Sequence, residues 1–339
     1  MPPKIAISLG DPAGIGPEIA FKAAQDRRVL AACRPVLVGD RRALEVHGRA
    51  CGFEPRINVV APGGAADARG GGAVDLVHLD LFGDAPLRLG EVSALAGHAA
   101  LDAARAAIDM AMKGEVAAVV ACPQTETAIA MTGIAFDGYP TFVARCTGTP
   151  VEDAYLMLCF DDKRIVHTTL HVSLRRAIEL ITEDRVAQVL KATHDTLVEM
   201  GVASPRIAVA GLNPHAGEHG LFGDDEATII EPAMARARAQ GVRLEGPFGA
   251  DVMFQRPGYD GFVVMFHDQG HIAAKLLATN RTAGLTIGTP ILFSSVAHGS
   301  ALDIAGTNRA SAEAVVEAVL RLSAAARRRT ERTAEPLHA

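Results

Sequence analysis

Phe262-Val263-Val264-Met265-Phe266-His267-Asp268-Gln269-Gly270-His271-Ile272-Ala273-Ala274-Lys275 is the stretch that decides how this chain folds. Residues 262–266 form a short apolar run of β-branched and aromatic side chains, preceded by the turn-like Pro257-Gly258-Tyr259-Asp260-Gly261. That pattern predicts a fully buried strand of a parallel sheet. It stops abruptly at four residues with no place in a core, and in open α/β sheets ligands bind just beyond the carboxyl ends of the strands. The pattern recurs twice. Residues 207–212 lead into Asn213-Pro214-His215, and residues 165–170 lead into His171. Three imidazoles delivered to one place would form an open divalent-metal site. With 12 histidines in 339 residues, the competing reading for each is a hydrogen-bonded structural residue. Each also has a second histidine four residues away, His167, His219 and His271. On a helix that spacing puts both rings on one face, but Thr168-Thr169 and Asn213-Pro214 argue against a helix through two of the pairs.

Working outward, strand-like runs alternate with helical ones along the whole chain, which predicts a parallel or mostly parallel α/β protein. Strands are expected at 4–9, 35–39, 116–121, 154–159 and 284–288, and helices at 19–25, 93–112 with a Ser93 cap, 173–180, 183–200, 226–239 and 312–326. Between the first strand and helix lies Gly10-Asp11-Pro12-Ala13-Gly14-Ile15-Gly16-Pro17-Glu18. As a dinucleotide fingerprint it fails at the third glycine, so a tight strand-to-helix connection competes with a cofactor loop. Residues 61–73 read as a low-complexity surface loop, and Arg327-Arg328-Arg329 as a solvated, frayed tail.

Composition narrows the function classes. The chain is long enough for two domains, is 49% hydrophobic and lacks Trp, and has a mean hydropathy of +0.19. A net charge of −6 with no basic stripe gives no reason to expect nucleic acid. Five cysteines with no short spacing between them read as reduced thiols. No apolar stretch reaches the ~18 residues that cross a bilayer, so no membrane partner is expected. A strand begins within a few residues of the N-terminus, leaving no room for a signal peptide, and a cytoplasmic location is expected.

GDPAGIGPE (10–18), GLNPHAGE (211–218), MFHDQG (265–270) and VAHGSALDIAG (296–306), in this order and spacing, resemble the 4-hydroxythreonine-4-phosphate dehydrogenase family. The last segment is also similar to the cofactor loop of isocitrate and isopropylmalate dehydrogenases. The resemblance implies a non-Rossmann, two-domain fold of that dehydrogenase type, with mostly parallel sheets and a cleft between the domains. On that template residues 1–125 plus 290–339 make the cofactor-side domain, and 126–289 the metal, substrate and dimerisation domain. The resemblance also implies a homodimer whose divalent metal, zinc by default for three imidazoles, is held by His171, His215 and His267, one of them from the partner chain. Gly14, His298, Gly299 and Asp303 are the expected cofactor contacts for NAD or NADP. Ser311 stands where the family's loop usually carries an Asn.

The departures from the family carry as much information. Members that act on a phosphate ester hold it with a His-Thr pair, a Lys, an Asn and an Arg. Here those positions carry Tyr139-Pro140, Lys275, Gly284 and Phe293. A phosphate left without its clamp is desolvated and unpaired, at a cost of several kcal/mol. A flat cyclic substrate against Tyr139, Pro140, Thr141 and Phe293 is expected instead. ETAIAMTGIAFDGYP, RIVHTTLH and HDQGHIAAKLLA are similar to the terephthalate 1,2-cis-dihydrodiol dehydrogenase branch in particular. That branch implies NAD-linked oxidative decarboxylation of 1,2-dihydroxy-3,5-cyclohexadiene-1,4-dicarboxylate to protocatechuate, in terephthalate degradation. Lys275, Asp251 and Asp268 are the candidate catalytic groups. His271 is a candidate contact for the second carboxylate, with a structural role as its competitor, and Asp251 has a turn cap as its own. The rival activities are oxidation of 4-hydroxythreonine 4-phosphate or a related phosphorylated hydroxy acid, a metal-dependent hydrolase or transferase, and a non-catalytic binding protein.

Overall fold

The computed structural model describes residues 2–62, 73–278 and 282–334, and for 332–334 the backbone only. Most of the expected loop at 61–73 lies outside the described residues. The chain divides into two compact units, residues 1–148 with 290–339, and residues 149–289.

The first unit opens with β1 (Lys4–Ser8), α1 (Gly16–Gln25), α2 (Arg27–Ala32), β2 (Arg34–Gly39) and α3 (Arg41–Cys51). It continues through β3 (Ile57–Val59), β4 (Val74–His78), α4 (Ala94–Met112), β5 (Ala118–Ala121), α5 (Glu126–Ala130) and α6 (Tyr139–Thr147). Its sheet has the order β3-β4-β2-β1-β5, with the later strand Phe293–Val296 beyond β5, and neighbouring strands run parallel. Helices cover both faces, so Ile5, Ala6 and Ile7 are all at 0% exposure and the strand shows no polar alternation. Each large aliphatic side chain so buried contributes about 1.5–3 kcal/mol. α4 begins as the sequence predicts, with the Ser93 hydroxyl accepting from the Ala96 N–H at 3.2 Å.

Residues 126–148, expected in the second domain, group with the first. Gly97 explains why: a Cβ there would stand 2.3 Å from the Ala128 carbonyl oxygen, so its absence seats α4 directly on α5. Phe142 and Val143 of α6 then enter the same core as Leu101 and Ile108.

The second unit holds β6 (Tyr155–Phe160), β7 (Lys163–His167), α7 (Leu174–Leu180), α8 (Glu183–Glu199), β8 (Arg206–Ala210), α9 (Glu231–Ala239), β9 (Arg243–Phe248), α10 (Ala250–Met253), β10 (Gly261–Val264), α11 (His267–Leu277) and β11 (Ala283–Ile287). Its strand order is β11-β6-β7-β10-β8-β9. From β7 to β9 the neighbours are parallel, whereas β6 runs antiparallel to both β7 and β11. The expected helix at 226–239 is a single π-turn, Glu226–Ile230, flowing into α9. β9 is absent from the sequence prediction because Gly246-Pro247 reads as a loop; a proline is tolerated on such an edge strand.

The chain returns to the first unit with β12 (Phe293–Val296) and α12 (Glu313–Ala334). α12 corrects the expectation of a frayed basic tail. The Arg327 guanidinium donates to the Ala32 carbonyl and Arg329 to the Pro290 carbonyl at 3.0 Å, so these arginines dock the helix.

Candidate functional site

In the second unit, β10 ends at Val264 and α11 begins at His267, so the organising stretch is a strand followed by a helix. Gln269, in the first turn, ties the junction down. Its Oε1 accepts from the Met265 N–H at 2.8 Å, in the manner of a capping side chain reaching back. Its Nε2 donates to the Gly211 carbonyl at 3.0 Å, which anchors α11 to the chain leaving β8. His267, His271 and Lys275 follow at intervals of four and share one face of α11. The rings of His267 and His271 stack with centroids 3.8 Å apart and planes 7° apart.

β7 ends at His167, not at His171 as the sequence run implied. Two further residues, Thr168 and Thr169, still donate to Val264 and Met265, after which the chain turns away. His171 is therefore an exposed loop residue, with its ring 5.7 Å from that of His267. His167 is buried, and its Nδ1 lies 3.3 Å from the Leu156 carbonyl. With a proton on that nitrogen, its Nε2 accepts from His271 Nδ1 at 3.1 Å. Gly270 permits this approach, since a Cβ there would lie 2.3 Å from His167 Nε2. Burial, reinforced by the neighbouring His271 charge, pushes His167 down to about 3. Burial and the nearby His267 push His271 down to about 4. Both rings are neutral at physiological pH, as the hydrogen-bond chain between them requires.

His267 Nδ1 lies 2.7 Å from the Asp268 carboxylate. That contact fixes the proton on Nδ1 and leaves Nε2 as a lone pair, the arrangement by which a carboxylate orients a ligating histidine. Asp268, Asp251 and Lys275 are all exposed.

His215 lies on the loop that follows β8. It opens a run of left-handed residues, His215, Ala216, Gly217, Glu218 and His219, with φ between 44° and 78°. Non-glycine residues held there cost on the order of 1 kcal/mol each, and such strain collects at functional loops. The His215 ring faces Phe222 at 6.1 Å, and a Cβ on Gly249 would meet the His215 Cα at 3.5 Å and the Asp251 carboxylate at 2.7 Å. The buried Glu226 supports the loop. Its carboxylate accepts from Leu212 N and Asn213 N at 2.8 Å each, and from the Asn213 amide at 3.0 Å. Among the described residues, the nitrogens of His171, His215 and His267 do not all come within 4.8 Å of one another.

In the first unit, the glycine-rich turn lies where the strand order departs from β1 toward β2 on one side and β5 on the other, the place where open sheets bind ligands. Gly14 is pressed against the VAHGSALDIAG segment. A Cβ there would stand 2.6 Å from Ser300, and the next residue's N–H, Ile15, donates to the Ser300 carbonyl at 2.8 Å. Gly10 is equally constrained, at φ +66° with Pro123 of the β5 loop 2.3 Å from its would-be Cβ. The structure thus brings Gly14 together with the segment carrying His298, Gly299 and Asp303. His298 is half-buried; Gly299 and Asp303 are exposed.

In the same turn Asp11 is buried, and burial pushes its carboxyl above the usual range although Ala13 N–H donates to it. A raised folded-state value means that stability is present in acid and is lost as pH rises. Asp11→Asn, which keeps the acceptor, is therefore expected to raise the melting temperature at pH 7. The gain should shrink as pH approaches 3.8, and thermal melts across pH check it.

Tyr139 and Phe293, expected as walls of a substrate pocket, are core residues of the first unit. Phe293 is 1% exposed and the two rings pack 5.0 Å apart. The Tyr139 hydroxyl is spent on the Cys122 carbonyl at 3.3 Å. Pro140 is buried beside them, and Thr141 hydrogen-bonds Asp137 and the Gly138 carbonyl. Sequence reasoning missed the supporting roles of Glu226, Gln269 and His167. For Gln269 a signal was present, a Gln in the third position of a helix.

A family profile described as the pyridoxal phosphate biosynthetic protein PdxA matches residues 31–322. A protein of Symbiobacterium thermophilum, whose name marks it provisionally as a D-threonate 4-phosphate dehydrogenase, is 42% identical over 320 residues, 94% of this chain and 95% of its own length. The 1,2-dihydroxy-3,5-cyclohexadiene-1,4-dicarboxylate dehydrogenase of a Comamonas species is 39% identical over 322 residues, 95% of this chain and 97% of its own. Among solved structures, 4-hydroxythreonine-4-phosphate dehydrogenase of Klebsiella pneumoniae superposes with a TM-score of 0.84 at 35% identity, covering 95% of this chain and 99% of that one.

Proposed function

This chain belongs to the family of the pyridoxal phosphate biosynthetic protein PdxA, and from that membership we propose that it is a metal-dependent, NAD-linked dehydrogenase that oxidises and decarboxylates a cis-dihydrodiol of an aromatic dicarboxylic acid. One observation carries the choice of substrate. Where relatives that act on a phosphate ester carry a His-Thr pair, an Asn and an Arg, this sequence carries Tyr139-Pro140, Gly284 and Phe293, so those clamping groups are missing. With those groups gone Lys275 alone remains to pair with a substrate anion, which suits a singly charged carboxylate better than a doubly charged phosphate ester. The similarity to the Comamonas enzyme supports the same reading.

The donor set suits a divalent metal. His171 and His267 are neighbours, and His267 has its Nε2 lone pair exposed by the Asp268 contact. Together with His215 they would hold the ion. Because the three nitrogens do not close within one chain, the reading includes a homodimer in which a partner chain completes the set. When bound, the cation supplies Lewis acidity at the substrate hydroxyls and the nicotinamide supplies the hydride acceptor. Asp268 keeps His267 in one tautomer. Asp251, against the His215 backbone, takes the hydroxyl proton. Lys275 pairs with a substrate carboxylate, and His271 is held in place by His167. Oxidation leaves a keto group β to a carboxylate; loss of carbon dioxide and rearomatisation then draw the reaction forward. Gly14, His298, Gly299 and Asp303 line the cofactor side.

The dimer has support in exposed apolar side chains near the histidines. Leu276 is 80% exposed and Ile272 57%, both on the helix that carries His267 and His271, and Leu174, three residues after His171, is 58% exposed; exposed apolar side chains of this kind suit a partner chain. Leu276→Asp is expected to shift the protein to a monomer in sedimentation and to abolish turnover; a dimer that survives this substitution would remove that part of the reading.

A second reading, oxidation of a phosphorylated hydroxy acid such as D-threonate 4-phosphate, is favoured by the 42% relative. A substrate panel with NAD and metal separates the two. NADH formation with dihydrodiol dicarboxylates and none with phosphorylated acids supports the first. Turnover confined to the phosphorylated set overturns it.

A further inference from the structure

The sequence offers His47 and Cys51 four residues apart, and α3 puts them on one face. The five cysteines share no short spacing with one another, so this pairing is visible only when histidine is counted too. Across from them is Glu18 of α1, fully buried at 0% exposure. Ligand atoms of Glu18, His47 and Cys51 all lie within 4.8 Å of one another, the one group of three among the described residues that does so.

Each partner is prepared for a cation. His47 is itself at 0% exposure; its Nε2 lies 2.9 Å from the Pro12 carbonyl, and its buried Nδ1 has no hydrogen-bond partner. With the Nε2 proton donated to Pro12, Nδ1 is a lone pair in the interior, an arrangement that costs free energy unless something binds it. The Glu18 carboxylate is divided. Oε1 accepts from Lys22 at 2.7 Å and from the Ala310 N–H at 3.1 Å, while Oε2 faces the Cys51 sulfur at 3.5 Å. In a tetrahedral zinc site with bonds of about 2.0–2.3 Å, neighbouring ligand atoms stand roughly 3.5 Å apart, so this pair is already at ligand spacing. Cys51, at the C-terminal end of α3, is only partly buried, which opens a path from solvent.

We propose that Glu18 Oε2, His47 and the Cys51 thiolate form a second divalent-cation site, separate from the histidine cluster, that takes zinc. Binding forms a metal–sulfur bond and releases the Cys51 proton to solvent; no electrons are transferred. A dication balances the carboxylate and thiolate, and Lys22 and Ala310 keep Oε1 in place. Because Lys22 also donates to the Asn308 and Ala310 carbonyls, the ion would join α1, α3 and the segment after VAHGSALDIAG. Its role is to brace the cofactor-side turn rather than to take part in chemistry.

The test uses the full chain, stripped with a chelator and reloaded with cobalt(II). A thiolate-to-cobalt charge-transfer band is expected, since the histidine cluster contains no sulfur. The band should persist in a His171→Ala, His267→Ala double variant and vanish in Cys51→Ser and Cys51→Ala. Metal content should fall by one equivalent per chain in either Cys51 variant, and zinc should raise the melting temperature of the double variant but not of Cys51→Ser in that background. Absence of the thiolate band from the unmodified chain, which needs no variant to fold, overturns the proposal. So does a Cys51→Ser chain that holds as much metal as the parent.

Discussion

Replacing His267 by alanine is expected to lower turnover of the dihydrodiol by on the order of 10³-fold, with loss of metal from the histidine cluster. His267 is the residue on which the cluster's contacts converge: its ring stacks on His271, neighbours His171, and has its tautomer set by Asp268. Alanine removes a ligand, leaves His271 without its stacking partner and leaves Asp268 with nothing to orient. Asp268→Asn should be milder, about 10- to 100-fold, because the ring remains while its orientation loosens. Steady-state kcat and metal analysis on the same preparations check both. If His267→Ala kept its metal and most of its kcat, the assignment of this cluster would be wrong.

Glu226→Ala is expected to cost about 3–5 kcal/mol of stability, read from urea unfolding. One carboxylate serves the backbone N–H groups of Leu212 and Asn213 and the side chain of Asn213, and the residue is only 5% exposed. Alanine leaves the Leu212 and Asn213 N–H groups without their acceptor, although the Asn213 amide keeps its bond to Asp225, and it removes a brace from the strained turn that carries His215. Glu226→Gln retains an acceptor oxygen for the two N–H groups and should lose about 1 kcal/mol. Metal affinity should fall with stability in the alanine variant, since Glu226 holds the chain entering the left-handed run at 215–219. Equal unfolding midpoints for Glu226→Ala and the parent chain would show that the loop stands without this carboxylate.

Much of the architecture was legible in the linear chain. Buried parallel strands such as residues 262–264 and 5–7 read as unbroken apolar runs, and the Ser93 cap and Gly114 bracket a helix. These features are local: a strand or cap is specified by residues within one or two turns of each other. β9 escaped because an edge strand needs pairing on one side only and tolerates Gly246-Pro247. The basic C-terminal run was misread because its helix is held by carbonyls of Ala32 and Pro290, distant in sequence. Tyr139 and Phe293 were expected at a pocket wall because aromatic substitutions at former anion-binding positions suggest a new ligand. Their actual place, packed against each other in the first unit's core, depends on where α6 docks on α4, a contact between segments well separated in the sequence.

The sequence by itself determined the alternation of strand and helix and the histidines beyond the strand ends, because these follow from residue type and period alone; the loss of cationic groups from the phosphate positions is legible only through the resemblance to the family. Only the tertiary structure decided that His167 and His271 share a proton while His267 and Asp268 form a separate pair. It alone placed Glu226 under the His215 turn and brought Glu18 to His47 and Cys51. The His167–His271 and Glu18–Cys51 contacts join side chains far apart in the chain, and short-range patterns carry no information about which distant groups the packing of helices on a sheet will bring within a few ångströms.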